Sequence, residues 1–330
     1  MLGTNIITTI GSSTMDTMFY TDQMVLMDNK KDLLQQKLIG FEYGAKISSQ
    51  NVTTTFGGGG ANAAVNFASL GLKVQLVSSL GTDAIGQSIL NNLKEKKVDI
   101  HLIQKNSKKI TDNSFIVNVG SFNEHVIFSC RGAYEDIDLS LATVQKIKTP
   151  WIYLTRLSAN FFPKLANIFE QVRSRKIKIA WNPGADQLQL GLTRLHRFMA
   201  DTYVFDVNRD EALELIIKIK GKDFKNNINV LLKELHKFGQ KLTVITDGPK
   251  GAYVYDGKKV HFHPALKRKG LNTTGAGDAF GSAFVAGLIR YHGDIEKSLR
   301  LGIWNSNSVI MKIGAQVGIL TVADLKKHNL

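Results

Sequence analysis

The chain has 330 residues, 43% of them hydrophobic, enough to bury a substantial core as one large domain with a small appendage. Its single cysteine, Cys130, excludes an intramolecular disulfide and fits a reducing, cytoplasmic setting; no apolar run reaches the ~18–20 residues that span a bilayer, and Met1 to Thr9 lacks the regions of a signal peptide. The formal charge of +14 raises nucleic-acid binding, but the densest groups (Lys105 to Lys109, Arg173-Ser174-Arg175-Lys176, Lys267-Arg268-Lys269) carry no interleaved aromatics, so no nucleic-acid or membrane partner is expected and the charge reads as a general field for nucleotides.

Asn5 to Ile10 reads as a first strand, followed by Gly11-Ser12-Ser13. Phe19 to Thr55 is long and mixed. Four glycines, Gly57 to Gly60, then precede an apolar helical run from Ala64 to Leu70 that stops at Gly71. Val74 to Ser79 predicts a strand. Asp83 to Lys96 predicts a helix with Ile85, Ile89, Leu90 and Leu93 on one face, entered through the turn and cap Gly81-Thr82-Asp83-Ala84-Ile85-Gly86. Ser114 to Ser129 alternates as an antiparallel hairpin turning at Gly120-Ser121-Phe122-Asn123. Strands follow at Trp151 to Thr155, Ile177 to Trp181, Tyr203 to Val207 and Lys241 to Thr246, separated by helices at Phe162 to Arg173, Asp210 to Ile219 and Asn227 to Phe238. This order predicts an α/β fold with a doubly wound, mostly parallel sheet covered by helices on both faces. Ligands of such folds bind beyond the carboxyl ends of the strands, where loops holding Gly11, Gly57 and Gly275 can reach.

The most informative string is Asn272-Thr273-Thr274-Gly275-Ala276-Gly277-Asp278-Ala279-Phe280, which opens a helical pattern of Phe280, Ala283, Phe284, Gly287 and Leu288. Bare amides at a helix start bind anions. An acid in the first turn can take a hydroxyl proton beside that anion, so Gly275, Ala276, Gly277 and Asp278 are the candidate catalytic group. An ordinary capping acid is the plainer alternative. Gly57-Gly58-Gly59-Gly60-Ala61-Asn62 reads either as a flexible loop or as a close backbone approach to a ligand whose hydroxyls Asn62 bonds. Asp16 is either a turn cap or a carboxylate for a vicinal diol. Asn208-Arg209-Asp210-Glu211 can be a helix cap, and Thr246-Asp247-Gly248-Pro249-Lys250-Gly251 a hairpin turn, without losing a ligand role. His261 and His263 alternate on a strand with no Cys or acid cluster nearby, so no zinc site is expected.

These strings resemble the ribokinase-like (PfkB-type) carbohydrate kinases. The first glycine-rich segment matches their Gly-Gly-x-x-x-Asn-x-Ala signature, and the second their Asp-Thr-Thr-Gly-Ala-Gly-Asp-x-Phe signature apart from Asn272 in its first position. The resemblance implies a small β-sheet lid formed by roughly residues 17–56 and 111–131 of a single domain spanning 1–330. It implies Asp278 as the base, and Asp16, Gly57, Gly58 and Asn62 as substrate-binding residues. It assigns ATP contacts to Asn208, Glu211, Thr246, Gly248, Gly251 and, on the adenine side, Asn305. Glu211 would hold Mg²⁺ through water. The family's potassium-binding Asp is replaced by Asn272, which leaves a monovalent cation open. Gly59 stands where ribokinases proper carry Lys, which leaves ribose open. A homodimer through the lid also belongs to this picture. The implied activity is ATP-dependent phosphorylation of a hydroxymethyl group on a sugar or sugar derivative. The alternatives are a nucleoside kinase of the same fold and a catalytically silent sugar-binding regulator; a Rossmann dehydrogenase is set aside, because no Gly-x-Gly-x-x-Gly follows the first strand.

Overall fold

The computed structural model describes residues 5–28, 37–49, 51–119, 124–158, 160–221, 227–267, 270–271 and 273–330. The turn expected at 120–123, the basic pair Arg268 and Lys269, and Asn272 lie outside the described residues.

The central sheet is built around β1 (Ile6–Ile10), which pairs in parallel with β2 (Lys73–Val77) on one side and β3 (Trp151–Leu154) on the other. Next come β4 (Lys178–Trp181), β5 (Val204–Asn208) and β6 (Leu242–Thr246), all parallel. The edge is closed by β7 (Ala252–Tyr255) and β8 (Val260–His263), which are antiparallel. The order β2-β1-β3-β4-β5-β6-β7-β8 reverses its winding between β1 and β3, which opens a crevice at their carboxyl ends. The strand expected over Val74 to Ser79 stops at Val77. Ser78 is held sideways by Ser13 and by the Gln104 amide, and Ser79–Gly81 starts a separate parallel pair with Gln104–Asn106.

Alternate residues of the strands feed two cores. Ile7, Val204 and Val244 bury against α1 (Gly59–Ser69), α2 (Ala84–Glu95), α6 (Ala276–Arg290) and α7 (Ile295–Ile310). Ile10, Phe205, Val207 and Ile245 bury on the other face, against α3 (Phe161–Arg175), α4 (Arg209–Lys220) and α5 (Ile228–His236). The two-sided burial explains why these strands read as continuous apolar runs. Helix α6 is buried almost all round, from Ala279 to Leu288, which accounts for its weak amphipathic pattern. Gly71, with φ 88°, stops α1 where expected.

A separate four-stranded sheet stands at the carboxyl end of β1. Its strands run in the order Glu124–Cys130, Asn113–Val119, Thr14–Thr21, Asn51–Gly57. The pair Thr14–Thr21 and Asn113–Val119 is parallel and the other two pairs are antiparallel. Asp83 clamps its base: its carboxylate accepts from the Gly86 amide at 2.8 Å, capping α2, and from the Thr111 amide and hydroxyl, both at 2.7 Å. Partial burial works against the charge, yet these bonds hold the Asp83 carboxyl below its usual value. Asp83→Ala should therefore cost ~1–3 kcal/mol, from a lost cap and orphaned donors. A depressed carboxyl contributes stability above its unfolded value and loses it as pH falls through the folded one. Urea unfolding at several pH values should thus show the deficit at neutral pH and its disappearance in acid.

Candidate active site

Two glycine-led helix starts face each other across the crevice. Gly60 of α1 lies so close to Gly11 that a side chain would meet backbone atoms at 2.5–2.7 Å, and Gly58 takes φ 89° against the Ser12 carbonyl. These contacts seat the first turn of α1 between the ends of β1 and β3. Gly275 caps α6 in the left-handed region. The Ala276 amide donates to Thr273 O at 3.1 Å, so Ala276 contributes surface to the anion hole rather than a free donor. The bare amide falls instead to Gly277, which is exposed and has no atom within 4 Å of where a Cβ would stand.

Asp278 sits in the first turn of α6. Asn62 Nδ2 donates to its Oδ2 at 2.8 Å, and Gln316 Nε2 donates to Asn62 Oδ1 at 3.0 Å. Asn62 is thereby brought to Asp278 itself, with one of its two N–H groups spent there. Burial pushes the Asp278 carboxyl up, and the Asn62 bond partly offsets that. Asp16, on the lid strand, is 9% exposed and accepts from the Ser114 hydroxyl. Burial raises it, against the lowering effect of Ser114 and Thr14. Gly57 lies against this carboxylate, where a side chain would meet Asp16 Oδ2 at 2.4 Å.

On the other side of Asp278 a cleft of about 230 Å³ is lined by Asn182, Asp206, Val207, Asn208, Glu211, Thr246, Thr273 and Gly275 to Asp278. It lies at the carboxyl ends of β4, β5 and β6. The structure therefore brings Asn208, Glu211 and Thr246 to the Gly275–Asp278 turn. Asn208 and Glu211 form a reciprocal cap at 2.8 and 2.9 Å, so the capping role and the cleft role coexist. Burial also pushes the Glu211 carboxyl up, ahead of the effects of its neighbours. Gly248 and Gly251 do not line this cleft. They shape the turn after β6, where Arg209 pairs with Asp247 at 2.9 Å. A larger cavity of about 460 Å³ lies at the opposite, amino-terminal ends of β4 to β6, away from these groups.

One expectation is corrected. Asn305 does not face a nucleotide. It is 0% exposed, its Nδ2 donates to Asn66 Oδ1 and Ala279 O, and its Oδ1 accepts from the Leu320 amide. Its hydrogen bonds are consumed in joining α1, α6 and α7, which is what burial of an amide requires. Two cleft residues escaped the sequence reading, Asn182 and Asp206. The signal for Asp206 was an acid inside the otherwise apolar strand Tyr203 to Val207.

The fold and the paired glycine-led helix starts define a phosphotransferase of the ribokinase fold. Residues 30–321 match the family described as pfkB family carbohydrate kinase, and the chain belongs to that family. It is 29% identical to a ribokinase of Lactococcus lactis over 293 residues, covering 86% of this chain and 88% of the other. It is 28% identical to a cytidine kinase of Thermococcus kodakarensis over 269 residues, covering 78% and 88%. The solved ribokinase from Cryptococcus neoformans in complex with ADP superposes with a TM-score of 0.77 at 23% identity, covering 98% and 99% of the two chains. The protein is a kinase of the sugar- and nucleoside-phosphorylating kind.

Asp278→Asn keeps the shape of the turn but cannot accept a proton. It should lower kcat by ~10²–10⁴. An acid whose folded value is raised stabilises the fold fully below its unfolded value and loses that contribution as pH rises through the folded one. The variant should therefore melt higher than the wild type at neutral pH, with the gap closing in acid. Turnover and calorimetry across pH check both halves.

Proposed function

We propose that the protein transfers the terminal phosphoryl group of ATP to a hydroxymethyl group of a sugar or sugar derivative. The observation that carries this reading is the position of Asp278, between Asp16 and Gly57 on the lid side and the Asn208–Glu211–Thr246 cleft on the other. Asp16 and Asn62 hold the acceptor's hydroxyls. Asp278, kept in place by Asn62, orients the hydroxymethyl oxygen and takes its proton. The Gly277 amide and the positive end of α6 stabilise charge on the transferring group. Asn208, Thr246 and the Gly248–Gly251 turn border the nucleotide. The oxygen donors of Glu211 and Asn208 suit Mg²⁺, which prefers hard ligands and few carboxylates. When bound, it would neutralise charge on the phosphates. The lid closes over the acceptor and keeps water out.

A nucleoside acceptor is the second reading. The cytidine kinase relative favours it, as do Ile116 and Ile127, which the lid register places on the same face as Asp16 and Ser114. A phosphorylation screen of sugars and nucleosides with ATP and Mg²⁺ decides between the two. Turnover of sugars supports the first reading, and exclusive turnover of nucleosides overturns it.

Asp16→Ala should raise the acceptor KM by the equivalent of ~1–3 kcal/mol, the cost of orphaned buried hydroxyls, while leaving ATP affinity unchanged. Asn62→Ala should lower kcat as well, because Asn62 also holds Asp278. Separate titrations of ATP and acceptor distinguish the two variants; equal losses for both ligands would indicate a structural role.

We also propose a homodimer through the lid. Its outer face exposes Val52, Phe115, Val126 and Phe128, with relative exposures of 37–57%, and the strand register sets Phe115 opposite Phe128 and Val52 opposite Phe19. An uncovered apolar face of this kind marks an interface. Sedimentation should give a dimer for the wild type and a monomer for Phe128→Asp.

A further inference from the structure

Asp206 is the acid that the family signatures do not touch. It is 5% exposed and lines the floor of the cleft beside Glu211 and Asp278. Among the described residues its carboxylate has no hydrogen-bond donor, while its main-chain carbonyl accepts from Asn182 Nδ2 at 2.9 Å. The nearby Tyr153 hydroxyl is buried and also without a partner. Both groups converge on Gly281, where a side chain would meet Tyr153 Oη at 2.3 Å and Asp206 Oδ2 at 2.5 Å. A buried carboxyl left unbonded costs stability and calls for a functional reason.

Charge supplies that reason. Asp206, Glu211 and Asp278 line one small cleft, and among the described residues no Lys or Arg lines it, although the chain carries a formal charge of +14. A nucleotide polyphosphate would add further negative charge. Three acids and a polyphosphate share such a space only with a divalent cation among them. Among the described residues no three His, Cys, Asp or Glu are placed to hold a metal ion by themselves, so water and phosphate oxygens would have to complete the coordination shell, as Mg²⁺ prefers.

We propose that Asp206 is a second carboxylate for the divalent cation of this cleft, acting with Glu211 directly or through one water. The proposal rests on reading the cleft as the nucleotide–metal site. Glu211 lies at the rim, in the first turn of α4, and Asp206 lies below it on β5. Together they would hold the cation on the phosphate side of Asp278. Asp206 would then be a binding residue for the cation and not a base.

The probe is Mn²⁺, titrated into the whole protein with a non-hydrolysable ATP analogue and followed by the EPR signal of free Mn²⁺. Asp206→Asn and Glu211→Gln should each weaken Mn²⁺ by about tenfold or more. In the absence of cation, Asp206→Asn should melt no lower than the wild type. Unchanged Mn²⁺ affinity in Asp206→Asn beside a loss in Glu211→Gln overturns this proposal alone. Unchanged affinity in both variants overturns the metal reading of the cleft as well. A second measurement does not depend on that variant folding. Tb³⁺ bound at Asp206 should luminesce on excitation through the neighbouring Tyr153 ring and be displaced by Mg²⁺, and Tyr153→Ala should remove most of that signal. Undiminished luminescence in Tyr153→Ala places the ion elsewhere and also overturns the proposal.

Discussion

The hydrogen bond from Asn62 to Asp278 spans 216 positions of sequence, and the rest of the site depends on it. It can form only if the first turns of α1 and α6 meet, and small residues at the start of α1 allow it: a Cβ on Gly59 would already stand 3.4 Å from Asp278 Oδ1. Gly11 and Gly60 touch backbone to backbone. Behind the bond runs a relay of amides: Asn92 donates to Gln316, Gln316 to Asn62, and Asn62 to the base. A parallel set, Asn66, Asn305 and the Leu320 amide, ties α1 to α6 and α7 one turn deeper. Buried amide networks of this kind fix register because each member left unpaired is costly. The position of the Asp278 carboxylate is thus a property of three helices.

The electrostatics run against the chain's overall charge. A strongly basic protein places its first-turn glycine amide and its acids in one cleft, whose described lining holds no Lys or Arg. Arg209, in the first turn of α4, is paired with Asp247 and braces the two loops bordering the cleft. Amides and a helix dipole attract phosphate without forming a salt bridge that would have to break at each turnover. Of the three carboxyls in the cleft, Asp206 is raised by burial first and then by the charges of Glu211 and Asp278.

The lid obeys a different constraint. Asp83 and Asp112 are spent on main-chain donors at its base: Asp83 on Gly86 and Thr111, Asp112 on Gly132 and Tyr134. Its strands present Asp16 and Ser114 on one face and Phe19, Phe115 and Phe128 on the other. Period-two alternation gives one short sheet an inner face that carries Asp16 and Ser114 beside Ile116 and an apolar outer surface.

Much of this was legible in the amino-acid order. The alternation of strands and helices, the turn at Gly71, the cap at Asp83 and the pairing of Asn208 with Glu211 are local matters, decided by backbone freedom, periodicity and side-chain reach over a few residues. The glycine runs and Asp278 were legible for the same reason. What the sequence could not determine was which side chains end up opposite each other. Asn305 reads as a ligand contact until α1 and the Leu320 amide close around it. That Asn62 also bonds Asp278 shows only when Asp278 arrives from the far end of the chain. Asp206 reads as an odd acid in an apolar strand until β5 places it on the floor of the cleft. Local propensity acts within a turn or two. Burial, pairing and the cost of an unpaired charge are set by neighbours that only the tertiary structure supplies.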